Sequence, residues 1–174
     1  MQQPILYLFV GYPGAGKTTI AKIIEQQVSA VHLWVDQRRQ QLFTNPTHSA
    51  KESQELYQIL DNQAKNLLLN GQSVIFDTNF NYLSDRQLLR DIAKQCQAKT
   101  VLIWVNTPLK VAKQRATHPI HSDRNGYTTA MTSEEFDKIA KHLEPPIETE
   151  QPIIIDGTDI NIPQLETRLG LKQH

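Results

Sequence analysis

Apolar residues follow one another along this chain in two alternating rhythms. Short unbroken runs occur at Ile5-Leu6-Tyr7-Leu8-Phe9-Val10, Val31-His32-Leu33-Trp34-Val35, Ser73-Val74-Ile75-Phe76, Thr100 to Val105 and Pro152 to Ile155. Runs of this length, without polar alternation, predict strands covered on both faces. Between them the apolar positions recur at helical spacing. Ile20, Ile23, Ile24 and Val28 form one such stripe, and Leu56, Ile59, Leu60, Ala64, Leu67 and Leu68 form another, from Ala50 to Asn70, that Gly71 ends. Ser84 with Gln87 spells a capping box ahead of Leu88, Leu89, Ile92, Ala93 and Cys96, and Thr132 with Glu135 spells a second ahead of Phe136, Ile139, Ala140 and Leu143. Thr107 and Pro108 supply an N-cap and a first-turn proline for a helix carrying Lys110, Lys113 and Arg115. Pro145 and Pro146 stop the Phe136 helix, and Pro163 to Leu169 reads as a last short helix ended by Gly170. Strands and helices in strict alternation predict an α/β fold, a five-stranded parallel sheet with right-handed crossovers.

Composition adds bounds. A length of 174 residues suits one domain, taken as 1–174. Eighteen basic side chains balance eighteen acidic ones, so a nucleic-acid partner would need a local basic cluster instead of an overall field. Cys96 is the only cysteine, which removes an internal disulfide and disfavours a metal-thiolate site; it reads as a small core residue on a helix. The opening apolar run is too short for a membrane span and lacks a basic leader, so the expectation is a cytoplasmic protein with no membrane partner.

The first strand runs directly into Gly11-Tyr12-Pro13-Gly14-Ala15-Gly16-Lys17-Thr18, which fits G-x-x-x-x-G-K-[ST] without a gap. Strand, glycine loop and helix in that order are what phosphate binding requires. Gly11, Gly14 and Gly16 let the backbone fold closely around an anion, with N–H groups converging at a helix N-terminus. Lys17 adds a positive charge near the β- and γ-phosphates, and Thr18 offers a hydroxyl to Mg²⁺. Pro13, Ala15 and Thr19 complete the expected phosphate contacts. The competing reading is a glycine-rich turn that binds nothing.

Two further groups lie at predicted strand ends, where open α/β sheets bind ligands. Asp36, followed three residues later by Arg39, closes the second strand, and that spacing puts both on one face of a helix starting there. A capping Asp beside a solvated Arg would look the same. Asp77-Thr78-Asn79 closes the third strand, and an acidic residue there is a partner for Mg²⁺, although a turn-forming Asp has the same spelling. The polar stretch 117–130, with His118, His121, Asp123, Arg124 and Gly126, is the candidate lid. Arg115 at its base and Arg124 within it are candidates to contact phosphate. His118 and His121 read as a loop pair, not a zinc half-site.

With these residues assembled, the chain resembles the P-loop kinases of the group that includes polynucleotide 5′-hydroxyl kinase, zeta toxins, gluconate kinase and chloramphenicol phosphotransferase, an AAA-type ATP-binding family. The phosphate loop, Asp36 with Arg39, and Asp77-Thr78-Asn79 are similar to the polynucleotide kinase pattern in particular. The resemblance implies a nucleoside-monophosphate-kinase-like fold with ATP and Mg²⁺ as cofactors. It gives Asp36 as the base for an attacking hydroxyl, Arg39 as a holder of the acceptor, and Arg115 as a lid arginine on ATP. Members often carry a second arginine one turn after the first, where this chain has Pro119. The acceptor implied is a polynucleotide 5′-hydroxyl. A sugar, antibiotic or nucleotide-sugar acceptor is the alternative, and a non-catalytic ATP-binding regulator is a third. A GTPase is disfavoured by the absence of an Asn-Lys-x-Asp motif.

Overall fold

In the computed structural model, which describes residues 3–118 and 130–171, five parallel strands form one sheet. They are β1 (Ile5–Val10), β2 (Ala30–Trp34), β3 (Ser73–Asp77), β4 (Lys99–Asn106) and β5 (Ile153–Asp156), in spatial order β2-β3-β1-β4-β5. Helices α1 (Lys17–Gln27), α2 (Val35–Leu42), α3 (Ala50–Leu69), α4 (Leu83–Gln95), α5 (Leu109–Thr117), α6 (Ser133–Ala140) and α7 (Ile162–Leu169) connect them. β1 lies at the centre, and the chain crosses it between β3 and β4, so the crevice at its C-terminal end is the topological switch point. The phosphate-loop motif begins there.

The unbroken apolar run of β1 has a direct cause. Leu6, Leu8 and Val10 enter a core shared with Leu56, Leu60, Ala64 and Leu68 of α3 and Leu89 and Ala93 of α4. Tyr7 and Phe9 point the other way, into a core with Ile20, Ala21 and Ile24 of α1 and Leu165 of α7. Both faces of the strand are buried, so both parities must be apolar. Among the described residues no helix is long and apolar enough to cross a membrane.

The structure corrects several local expectations. β2 ends at Trp34, and Val35 already belongs to α2, so Asp36 sits in a first helical turn and not on a strand tip. The Thr132–Glu135 capping box forms as spelled, but the Ser84–Gln87 box does not. Tyr82 occupies the N-cap of α4 without a side-chain bond, and the Leu83 N–H donates instead to Glu144 Oε2 at 2.6 Å. Thr107 does not cap α5; Pro108 stands at that position and the Thr107 hydroxyl is used elsewhere. Ile59 and Leu88, read as core positions, are exposed.

In place of Leu88, α4 turns Arg86 inward, with none of its surface exposed. Its Nε and Nη2 donate to the two carboxylate oxygens of Glu150 at 2.7 and 2.9 Å. Nη1 donates to the carbonyls of Phe80, Asn81 and Glu144 at 3.0, 3.2 and 3.1 Å. One side chain thereby joins the β3–α4 loop to the segment that leads back to β5. Burial works against the charge on Glu150, but Arg86 outweighs it and holds the carboxyl below its usual range. Glu150→Ala, which strands Arg86 without its partner, is expected to cost about 3–5 kcal/mol in urea unfolding, whereas Arg86→Met with Glu150→Leu costs much less. Because the folded pKa is depressed, the contribution of Glu150 is present above the ordinary glutamate value of about 4.3 and is lost as pH falls through the folded value.

Candidate active site

The phosphate loop leaves β1 at Gly11 and ends at Gly16, the N-cap of α1, with Lys17 as the first helical residue. α1 has no side-chain cap, so its first N–H groups stay available at the loop. The loop is held from outside by two backbone approaches. At Gly14, with φ of 76°, an added Cβ would stand 2.4 Å from the Ala112 carbonyl and 2.9 Å from the Ala116 nitrogen of α5. At Gly157, after β5, an added Cβ would stand 1.9 Å from Thr107 Oγ1 and 2.4 Å from the Ala15 carbonyl. Thr107 Oγ1 itself donates to that Ala15 carbonyl at 2.9 Å. Sequence reading missed both Gly157 and this role of Thr107; the Asp156-Gly157-Thr158 turn at a strand end was the available signal.

Lys17 is buried, and its ammonium donates to the carbonyls of Gly11 and Tyr12 at 2.9 and 2.7 Å. Desolvation lowers its pKa to about 8 against the opposing pull of Asp77 and Asp36. Both carboxylates predicted at strand ends are therefore close enough to act on the phosphate-loop lysine. Asp36 reaches solvent from the first turn of α2, yet crowding raises its pKa. Desolvation is the main cause and Asp77 adds to it, with Lys17, Arg39 and His48 opposing. Asp77 is buried at the end of β3, and His32 stands against its Oδ2 at 3.2 Å through Nε2, with Glu25 at 3.1 Å from Nδ1. Burial alone would lower the His32 pKa, but the two carboxylates prevail and raise it. His32 was not singled out in the sequence, where it reads as one polar residue in an apolar strand.

Thr78 Oγ1 shares a hydrogen bond of 2.7 Å with the hydroxyl of Tyr57 on α3, and Asn79 is half-buried in the same turn. Arg39 is buried and turned toward α3, where Nη1 pairs with Glu52 and Nη2 donates to Ser53 Oγ at 3.3 Å. Thr18 and Thr19 are half-buried in the first turn of α1, and Pro13 and Ala15 are buried in the loop. Arg115, exposed on α5, donates through Nη1 to the Gly157 carbonyl at 2.7 Å. Arg124 and residues 119–129 of the candidate lid lie outside the described residues. Among the described residues no group of three or more His, Cys, Asp or Glu could hold a metal ion by itself. A hydroxyl from Thr18 and a carboxylate from Asp77 are nonetheless hard oxygen donors, the set that suits Mg²⁺ when waters and phosphates complete its shell.

Comparison with known proteins agrees with this fold. A family model described as an AAA domain matches residues 6–146, and the chain belongs to that family. An adenylyl-sulfate kinase of Vibrio vulnificus is 28% identical over 119 residues, a match that spans 66% of this chain and 56% of that protein. Among solved structures, a Chloroflexus aurantiacus protein described as a kinase has a TM-score of 0.76 at 18% identity, covering 99% of this chain and 100% of its own. The Mycobacterium tuberculosis APS kinase, solved with AMPPNP and APS, has a TM-score of 0.69 at 21% identity, covering 98% of each chain. These structures share the fold.

Two outcomes follow from the loop. Free Lys17 loses its proton around pH 8, and bound phosphates favour the charged form. Nucleotide affinity is therefore expected to hold below that pH and to fall as pH rises above it, up to about tenfold per unit. Calorimetry in buffers of different ionisation enthalpy should show proton uptake on binding above about pH 8 and none near pH 6. Gly157→Ala should destabilise the fold by about 1–3 kcal/mol, read from thermal or urea unfolding, because the new methyl would overlap Thr107 Oγ1 and the Ala15 carbonyl.

Proposed function

We propose that this chain is an ATP-dependent phosphotransferase that passes the γ-phosphoryl group to a hydroxyl of a small molecule. The observation that carries the reading is the convergence of Asp36 and Asp77 on Lys17 at the switch point of the sheet. A phosphate loop with one carboxylate suffices for nucleotide binding; the second, held with a raised pKa and open to solvent, is what a hydroxyl acceptor needs. The similarity to an adenylyl-sulfate kinase favours a small acceptor over a polynucleotide 5′-hydroxyl.

In this reading the N–H groups of Gly14, Ala15 and Gly16 and the Lys17 ammonium surround the β- and γ-phosphates, with Lys17 leaving the Gly11 and Tyr12 carbonyls for them. Thr18 and Asp77 would hold Mg²⁺, which when bound would neutralise charge on the phosphate oxygens. Asp36 accepts the proton of the attacking hydroxyl as its oxygen bonds to the γ-phosphorus and the bond to the β-phosphate oxygen breaks, releasing ADP. Arg115, tied to the Gly157 carbonyl, fixes α5 against the turn after β5 at the nucleotide end. Thr78, Asn79 and Arg39 border the acceptor end.

Asp36→Asn is expected to lower kcat by about 10²–10⁴-fold while ATP affinity stays within about twofold. Labelled γ-phosphate transfer and equilibrium ATP binding, measured side by side, check both halves; unchanged turnover would remove Asp36 from its role. In the wild type, kcat should fall as pH drops through an acid limb that lies above the ordinary aspartate value of about 3.9.

A further inference from the structure

β2 carries a polar residue inside its apolar run. In the ladder with β3, His32 stands beside Ile75 and Trp34 beside Asp77, so these four side chains belong to one face of the sheet. That is the face on which Ile75 packs with Ile20, Ala21 and Ile24 of α1. α1 brings Thr18, Lys22 and Glu25 to it at helical intervals. Lys22 Nζ lies over the Trp34 ring at 5.0 Å from its centroid, and Glu25 reaches His32. Polar contacts thus link the last turn of α1 to Asp77 at the phosphate-loop end of the sheet.

His32 is the hub of these contacts and is fixed from three directions. Its side chain is 8% exposed and that of Asp77 2%, so neither is met by bulk water. A carboxylate only accepts, so the ring nitrogen facing each oxygen carries the hydrogen. Nε2–H donates to Asp77 Oδ2 at 3.2 Å, and Nδ1–H donates to Glu25 Oε2 at 3.1 Å. The ring also lies along Trp34, with centroids 6.3 Å apart and planes 18° off parallel. A fixed donor on Oδ2 sets the plane of the Asp77 carboxyl group, and with it the place of Oδ1. An apolar residue at position 32 would still pack on Trp34, but it would leave a buried carboxylate oxygen without its donor.

We propose that His32 is a positioning residue for Mg²⁺ binding: by donating to Oδ2 of Asp77 it fixes which carboxylate oxygen, Oδ1, is left for the cation together with the Thr18 hydroxyl. Groups that touch a metal's ligand without touching the metal carry much of a site's affinity. Glu25 acts one step further out by holding the ring. The role rests on the assignment of Asp77 to Mg²⁺, and it holds whichever hydroxyl is phosphorylated.

The test is calorimetric binding of AMPPNP to the full chain, once with Mg²⁺ and once with EDTA, in the wild type and in variants. The ratio of the two affinities reads the contribution of Mg²⁺ apart from that of the phosphate loop. Glutamine puts an amide nitrogen where Nε2 stands, asparagine only where Nδ1 stands, and phenylalanine keeps a ring without either donor. His32→Phe and His32→Asn are expected to lower the ratio about tenfold, and His32→Gln to hold it within about threefold, as should the affinity in EDTA for all three. If His32→Phe does not fold, the contrast of asparagine with glutamine decides. An unchanged ratio in His32→Asn, or an equal fall in His32→Gln, overturns the proposal. So does a loss in EDTA as large as the loss with Mg²⁺, which would make His32 a packing residue only. Asp77→Asn separates the proposal from the reading beneath it. An unchanged ratio there removes Asp77 from Mg²⁺ and His32 with it, whereas a fall there without one in His32→Asn removes His32 alone.

Discussion

Everything at this site depends on how closely three backbones approach one another around the phosphate loop. α5 comes up to Gly14 and the turn after β5 comes up to Ala15, each within a distance that a single methyl group would occupy. Thr107 then fixes the loop carbonyl of Ala15 from β4's end. The loop is consequently clamped between neighbours from both the β4–α5 and β5–α7 connections, so its N–H groups are aimed before any phosphate arrives. Such preorganisation is possible only where glycine removes the side chain that would separate the chains.

Clamping the loop also concentrates charge. Lys17 is buried beneath it, and its position brings it under the influence of Asp77 from β3 and Asp36 from α2. The lysine is pushed toward neutrality by desolvation, while Asp36 is pushed toward protonation by desolvation and by Asp77. A lysine and a carboxyl both displaced from their ordinary values beside a phosphate loop are the electrostatic form expected of a reaction centre. His32 extends the cluster on the far side of Asp77 and couples β2 to β3 through side chains as well as through the ladder.

Two buried ion pairs tie the helices beside the sheet to distant segments. Arg86 with Glu150 joins the β3–α4 loop to the return toward β5, and Arg39 with Glu52 joins α2 to the start of α3 and the loop before it. In both, every charge is met by further hydrogen bonds, which is the condition under which burying an ion pair is tolerable. Their common effect is to fix the spacing of α2, α3 and α4 around Tyr57 and Thr78 with groups that have a single good geometry, where apolar contacts alone would permit sliding.

The strands, the helical stripes and the phosphate loop were legible in the chain because each is governed by local chemistry. β1 was readable to the residue, since a strand buried on both faces must be apolar at every position, and the glycine-lysine loop declares itself by spelling. Asp36, Arg39 and Asp77 could be nominated because strand ends of a parallel sheet form a crevice. Which partner each would find was not written in the chain. Arg39 is matched with Glu52 thirteen residues on, Arg86 with Glu150 sixty-four residues on, and Thr107 with a carbonyl ninety-two residues back. A capping box spelled by Ser84 and Gln87 lost to a carboxylate from Glu144, and Leu88 yielded the interior to an arginine. Periodicity reports which residues share a face, but hydrogen bonds and ion pairs between distant segments depend on distance in space, and only the packing of the sheet, helices and loops decides that.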